Sequence, residues 1–223
     1  MKILVTGSSG FIGFHLCKLL LKNKKLEIFG IDNLNNYYDK KLKLDRLKIL
    51  KTYKKFNFEK IDISKKNQLL NFTSKYKFHC IVHLAAQAGV RHSIKDPDTY
   101  FQYNLAGFFN ILEASRKNNL KHLILASTSS VYGDKKKFPI GEHDNTDLPL
   151  SFYAATKKSN EVMAYSYSNI YKLPVTVLRF FTVFGPYGRP DMSLYKFTKA
   201  ALQNKEIDVF NNGSHTRDFT YID

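Results

Sequence analysis

The chain has 223 residues, enough for one large core or for a domain and part of another at about 100 to 200 residues per domain. Hydrophobic residues make up 43% and the mean hydropathy is −0.33, while no apolar run approaches the ~20 residues that cross a bilayer, so membrane insertion is not expected. The formal charge of +16 favours anionic partners, but the lysines are spread along the whole chain and no zinc-finger or RRM pattern occurs, which sets nucleic acid aside.

Met1-Lys2 leads straight into a short strand, Ile3-Leu4-Val5, without the ~7 to 15 residue apolar region of a signal peptide, so a cytoplasmic location is expected. The strand runs into Thr6-Gly7-Ser8-Ser9-Gly10-Phe11-Ile12-Gly13, and apolar periodicity predicts a helix from Phe11 to about Asn23. This is a phosphate turn: its glycines permit a tight bend and close approach to a pyrophosphate, and the helix N-terminus offers free N–H groups. The second strand, Leu26 to Ile31, ends at Asp32, 19 residues after Gly13. A carboxylate there accepts hydrogen bonds from an adenosine ribose and repels a 2′-phosphate, which selects NAD over NADP.

A polar loop, 33–39, is followed by a lysine-rich helix over Lys40 to Lys51 and a third strand over Phe56 to Ile61. Asp62-Ile63 at its end is placed to hold the adenine edge, and Ser64 reads as an N-cap for the next helix. Cys80 to Leu84 forms a fourth strand, with His83 a core residue, and Ala85-Ala86 beyond it are small enough to let a cofactor backbone pass. Cys17 and Cys80 both fall in apolar runs, which points to packing and to neither a disulfide nor a metal site. One long helix is expected after Pro97, carrying Asn104 and Asn110 toward Asn118.

The fifth strand, His122 to Leu125, delivers Ala126-Ser127-Thr128-Ser129-Ser130-Val131-Tyr132-Gly133, a hydroxyl cluster where open α/β sheets place their chemistry. The next helix begins near Tyr153-Ala154-Ala155-Thr156-Lys157, with Tyr153 and Lys157 four apart on one face. A nearby ammonium lowers a phenol's pKa, and an oxidised nicotinamide would add more positive charge, so the pair asks for NAD. A sixth strand over Val175 to Leu178 completes an alternation of strands and helices that predicts a doubly wound parallel sheet. From Tyr187 a second, smaller region begins, with a helix over Ser193 to Gln203 and a strand near 217–223. The expected division is a dinucleotide-binding unit over 1–186 and a partial substrate-binding region over 187–223, the chain reading as C-terminally cut off.

These residues resemble the extended short-chain dehydrogenases of the nucleotide-sugar epimerase/dehydratase family, and within it the UDP-glucuronate 4-epimerase branch. The resemblance rests on TGSSGFIG at Thr6, DNLNNYYD at Asp32, HLAAQAGVR at His83, STSSVYG at Ser127, YAATK at Tyr153, RFFTVFGPYGRPDM at Arg179 and RDFTYID at Arg217. It implies an α/β Rossmann-like fold and a 4-epimerase acting through a 4-keto intermediate, with a UDP-sugar as substrate and a homodimer as assembly. It implies that Tyr153 is the catalytic base, that Lys157 binds the nicotinamide ribose, and that Thr128 relays a hydrogen bond to the sugar. NAD would be held by Gly7, Gly10, Phe11, Ile12, Gly13, Asp32, Asn33, Asp62, Ile63, Ala85, Ala86, Asn104, Tyr153 and Lys157. Arg217 would meet a substrate phosphate, Phe210 the uracil and Arg189 the sugar end. A 4,6-dehydratase has an Asp-Glu pair where this chain has Ser129-Ser130, and UDP-galactose-type epimerases and UDP-glucuronate decarboxylases usually carry Asn in place of Thr182. Because oxidation at C4 would make glucuronate a β-keto acid prone to lose CO₂, Thr128, Ser129, Ser130 and Thr182 are expected to cradle its carboxylate. Another UDP-sugar 4-epimerase, a UDP-glucuronate decarboxylase and an inactive NAD-binding fragment stay open, since family members continue for roughly a hundred further residues.

Overall fold

A computed structural model describes residues 1–214 and 216–223, without the side chains of Phe210 and Asn211. Six parallel strands form the main sheet: β1 (Lys2–Thr6), β2 (Glu27–Asp32), β3 (Phe56–Lys60), β4 (Cys80–His83), β5 (His122–Thr128) and β6 (Val175–Phe180). Their spatial order is β3-β2-β1-β4-β5-β6, so the strand order reverses beside β1. The crevice outside the strands' carboxyl ends at that point is where such sheets bind ligands.

Alternation along the strands divides the core. Ile3, Val5 and Ile28 pack on one face with Phe14 and Cys17 of α1 (Phe11–Leu20) and Leu47 and Leu50 of α2 (Lys40–Leu50). Leu4, Phe29, Ile31 and Ile81 pack on the other with Leu69 and Phe72 of α3 (Lys66–Lys75). Two short helices, α4 (His92–Lys95) and α5 (Pro97–Tyr100), precede α6 (Gly107–Lys117), whose Phe108, Ile111 and Leu112 join the second face, as does Ala164 of α7 (Phe152–Tyr171). Burial of both faces is what makes these strands near-continuously apolar.

Beyond β6, β7 (Thr182–Phe184) pairs with β8 (Phe219–Tyr221) in a separate two-stranded sheet, with α8 (Ser193–Leu202) between them in sequence. This sheet takes one strand from each side of the division expected at 186. Among the described residues no helix is long and apolar enough to cross a membrane.

Several expected elements shift. Helix α1 stops at Leu20, three residues short of Asn23. Ser64 does not cap α3, which starts at Lys66 without a side-chain cap; Ser64 instead donates its N–H and hydroxyl to Asp62 Oδ1, at 2.9 and 2.7 Å. The expected single helix from Pro97 is interrupted by a π-helical segment, Phe101–Ala106. Strand β5 runs three residues further than Leu125, so Ser127 and Thr128 belong to the sheet itself.

Candidate functional site

All six carboxyl ends of the main sheet open onto one cleft of about 270 Å³. Its floor is the turn between β1 and α1. Gly7 has φ +70°, a conformation natural to glycine, and its N–H donates to Ile31 O at 2.8 Å. A Cβ on Gly13 would stand 2.2 Å from Gly7 O, so the turn closes only with glycine there. The helix behind it has Gly10 as N-cap and no side chain capping its first N–H groups. Ser8 and Ser9 are buried outside the cleft's lining, with hydroxyls that have no partner. An uncapped helix N-terminus and a turn pared to glycine suit a diphosphate, so the residues present fit a dinucleotide.

Phe11, Ile12, Asn33, Ile63, Ala85 and Ala86 line the same cleft. Asp32 does too, and is oriented from both sides: Oδ2 accepts from Ser9 N–H (3.2 Å) and Oδ1 from Leu34 N–H (2.8 Å). Burial pushes its carboxyl above the usual range, while those two N–H groups, Lys43 and Arg46 pull it back. Asp62 is engaged by Ser64 and by Asn33 Nδ2 at 3.4 Å, which fixes the loop carrying Ile63. Asn104 spends its amide locally: Nδ2 donates to Gln87 O (3.0 Å) and Thr156 Oγ1 (3.1 Å), and Oδ1 accepts from Gln87 N–H (2.8 Å). It therefore reaches the cleft through the backbone of Gln87, a lining residue that sequence reasoning passed over.

The other wall carries Thr128, Tyr153 and Lys157. Lys157 is buried and its Nζ donates to Ala126 O at 2.9 Å; burial lowers its pKa to about 8. The expected lowering of Tyr153 by Lys157 is not what the geometry gives. Burial of the phenol pushes it above its ordinary value, and the groups that oppose this are the Arg189 guanidinium and the Thr128 hydroxyl. Thr128 Oγ1 also donates to Ser130 Oγ and accepts from Ser130 N–H, each at 3.2 Å, so Ser130 is turned toward it at the head of the 3₁₀ turn Ser129–Tyr132. His83 is a core residue as expected: it is hydrogen-bonded with Thr6 Oγ1 (2.8 Å), stacked on Phe108, and kept neutral by burial, which lowers its pKa to about 3.

Arg189 is clamped at the cleft's mouth. Its Nε and Nη2 donate to the two oxygens of Asp191 at 3.0 and 2.5 Å, and Tyr37 donates to Asp191 Oδ2 at 3.3 Å. Arg46, fully buried, donates to Ser9 O (3.0 Å), to Tyr38 (2.7 Å) and to Tyr187 O (2.6 Å), tying α2 to the segment that carries Arg189. Neither Arg46 nor Asp191 was marked from the sequence; the helix with Arg46 was read only as lysine-rich. Thr182 lies in the adjoining cavity, which shares Val183, Arg189 and Met192 with the cleft. Arg217 is exposed and donates to Thr216 O, apart from the cleft's lining. The side chain of Phe210 lies outside the described residues.

The model of the NAD dependent epimerase/dehydratase family matches residues 3–223. The chain is 52% identical over 223 residues to "Protein CapI" of Staphylococcus aureus, covering 100% of itself and 66% of that relative. It is 46% identical to a "UDP-glucuronate 4-epimerase" of Thermodesulfobacterium geofontis, covering 99% of itself and 68% of the relative. Among solved structures, the UDP-glucuronic acid 4-epimerase of Bacillus cereus in complex with UDP-glucuronic acid and NAD superposes with a TM-score of 0.94 at 39% identity, over 100% of this chain and 69% of that one. The chain thus spans about two thirds of the length of these relatives.

Proposed function

The chain belongs to the NAD dependent epimerase/dehydratase family, and from that premise we propose that it carries the catalytic machinery of a 4-epimerase interconverting UDP-glucuronate and UDP-galacturonate. The observation that carries this reading is the facing of two walls across one cleft: the glycine turn with Asp32 on one side, and Tyr153, Lys157 and Thr128 on the other. When bound, NAD supplies a reversible two-electron acceptor for the sugar's C4. Gly7, Gly10, Phe11, Ile12 and Gly13 would hold its diphosphate, Asp32 and Asn33 its adenosine ribose, Ile63 its adenine, and Ala85, Ala86 and Lys157 its nicotinamide half.

Tyr153 is the group that takes the C4 hydroxyl proton and returns it after the 4-keto sugar has presented its other face. Thr128, in reach of the phenol, passes a hydrogen bond to the same oxygen and steadies the phenolate, with Arg189 supplying positive charge. Lys157 holds the β5 end in place through Ala126 and presents its ammonium to the nicotinamide ribose.

Oxidation at C4 turns glucuronate into a β-keto acid, which loses CO₂ when its carboxylate aligns with the carbonyl π system. Thr128, Ser129, Ser130 and Thr182 are the hydroxyls that would hold the carboxylate out of that alignment, and neutral Ser129 and Ser130 cannot replace a dehydratase's acid pair. Arg217 and Phe210 are assigned to the nucleotide on the resemblance alone. A cytoplasmic homodimer fits the exposed Phe101 and Phe109 before and on α6 and Val162 and Tyr165 on α7, apolar side chains that a second copy would cover.

The test is incubation of the purified chain with NAD and UDP-glucuronate, followed by separation of the UDP-sugars. UDP-galacturonate is the expected product; UDP-pentose with CO₂ would make it a decarboxylase, and conversion only of UDP-glucose or UDP-galactose would move it to another epimerase branch.

A further inference from the structure

Tyr153, Lys157 and Glu161 recur every fourth residue of α7 and share one face. Lys157 bonds Ala126 O, and Glu161 Oε1 accepts from the hydroxyl of the next residue, Ser127, at 2.5 Å. Successive residues of β5 are thereby pinned to successive turns of α7, immediately ahead of Thr128. Glu161 also accepts from Arg179, Nε to Oε1 at 3.0 Å and Nη2 to Oε2 at 2.7 Å. Arg179 stands opposite Ser127 in the β5–β6 register. Its remaining nitrogen, Nη1, donates to Tyr132 Oη (3.0 Å) and Glu142 O (2.8 Å), and its guanidinium lies 4.9 Å from the centre of the Tyr132 ring. One carboxylate with a side chain 10% exposed thus joins the catalytic helix, the last turns of two strands and, through Arg179, the 3₁₀ turn holding Ser129 and Ser130.

We propose that Glu161 and Arg179 are positioning residues that set the spacing between the two sides of the carboxylate cradle, Thr128 to Ser130 after β5 and Thr182 after β6. Ser127 precedes Thr128 directly and Arg179 lies three residues before Thr182, so a change in either bond moves a cradle wall. A bidentate guanidinium–carboxylate pair fixes orientation as well as distance, which a lysine or a neutral amide does not. The proposal rests on the reading of this cleft as a glucuronate site. Its distinctive consequence is that loosening the brace harms recognition of the carboxylate while leaving the dinucleotide wall intact.

The experiment compares UDP-glucuronate with UDP-galactose, which has the same nucleotide and no carboxylate, by calorimetry on the NAD-loaded full chain. The variants are Glu161→Gln and Ser127→Ala, with NAD affinity and thermal unfolding measured alongside. Wild type is expected to prefer UDP-glucuronate; Glu161→Gln should lower that preference about tenfold, the scale of one misplaced charge-assisted hydrogen bond, and Ser127→Ala by less. NAD affinity should stay within about twofold. If Glu161→Gln fails to fold, Ser127→Ala decides, because it leaves the Glu161–Arg179 pair in place. A wild type that prefers the acid with both variants preferring it equally overturns the brace alone; a wild type without the preference removes the glucuronate reading and the brace with it.

Discussion

Helices α7 and α8 show how differently the two regions of this molecule are held. Helix α7 buries Ala154, Thr156, Lys157, Asn160 and Ala164 and makes polar bonds to β5 along one face. Helix α8 buries no residue at all, and Leu194, Tyr195, Phe197 and Leu202 remain exposed on it. The main sheet is therefore maintained by apolar burial on both faces, whereas the segment after Gly185 is tied to it by polar bonds, His15 with Pro186 O, Arg46 to Tyr187 O and Tyr37 to Asp191, and by the ring contact of Phe14 with Tyr187. The glycine turn, Asp32, Tyr153 and Lys157 line the cleft from the first region, and Arg189 lines it from the second.

The sharpest break in that comparison is chemical. If the well-packed region carries the proton transfer, Tyr153→Phe should cut turnover of UDP-glucuronate by about 10² to 10⁴-fold with unfolding stability and NAD affinity nearly unchanged, the range for removing a general acid–base. A parallel fall in NAD affinity would place the defect in binding. The next effect is on the fastening. Arg46→Ala should cost about 1.5 to 3 kcal/mol in urea unfolding, the scale for hydrogen bonds to a charged group. It should also hasten proteolytic cutting between Tyr187 and Met192 with no change in the cleavage of α7. Stability equal to wild type would show that the segment is held by other contacts.

Asp32→Ala sharpens the cofactor side. Wild type should bind NAD over NADP, because a 2′-phosphate would meet a buried carboxylate, and the variant should reduce that preference by roughly tenfold, about 1.4 kcal/mol, in paired calorimetric titrations. Equal affinities in wild type would remove Asp32 from that role.

The remaining prediction concerns the pH dependence set by Lys157. Its folded pKa, near 8, lies below the ordinary 10.5, so between those values the unfolded chain binds more protons and stability rises with pH. Below pH 8 the cost of burying the ammonium is felt in full. Because exposed lysines and tyrosines titrate nearby, the readout is the difference between wild type and Lys157→Met: the wild type should gain on the variant from pH 8 to 10.5. A constant difference across that window would place the ammonium in contact with an anion or water.

Legibility in the sequence followed the length scale of the contacts. The β1 turn, Asp32 and the Tyr153/Lys157 pair were readable because each is a local spacing with a physical reason, and the doubly wound sheet followed from the alternation of apolar runs. Residues whose partners are distant were not. Asn104 was named, but its partners Gln87 and Thr156, 17 and 52 positions away, were not, and Arg46, which meets Tyr187 141 positions away, was not named at all. Glu161 extends the Tyr153/Lys157 spacing by one more turn, so the helix face was available to be read, but its partner Arg179 becomes visible only with the β5–β6 register. Lys157 was expected to lower the Tyr153 phenol because helical spacing speaks only of proximity; the direction of the ammonium, toward Ala126 O, was set by the sheet.

The wide turn at Phe101–Ala106 makes this part of the gene intolerant of small deletions. A π-helical segment holds more residues per turn than an α-helix, so it shifts the phase of everything after it. Here the shift lets one continuous rod aim Asn104 at Gln87 and Thr156 while turning Phe108, Ile111 and Leu112 of α6 into the core. Removing one residue to regularise the rod would rotate its two ends relative to each other by about 100°, the step per residue of an α-helix. Either the apolar stripe or the amide would then face the wrong way. Substitutions across 101–106 that keep the count are thus far safer than a one-codon loss, and an insertion elsewhere between Pro97 and Gly107 would compensate only by restoring the wide turn.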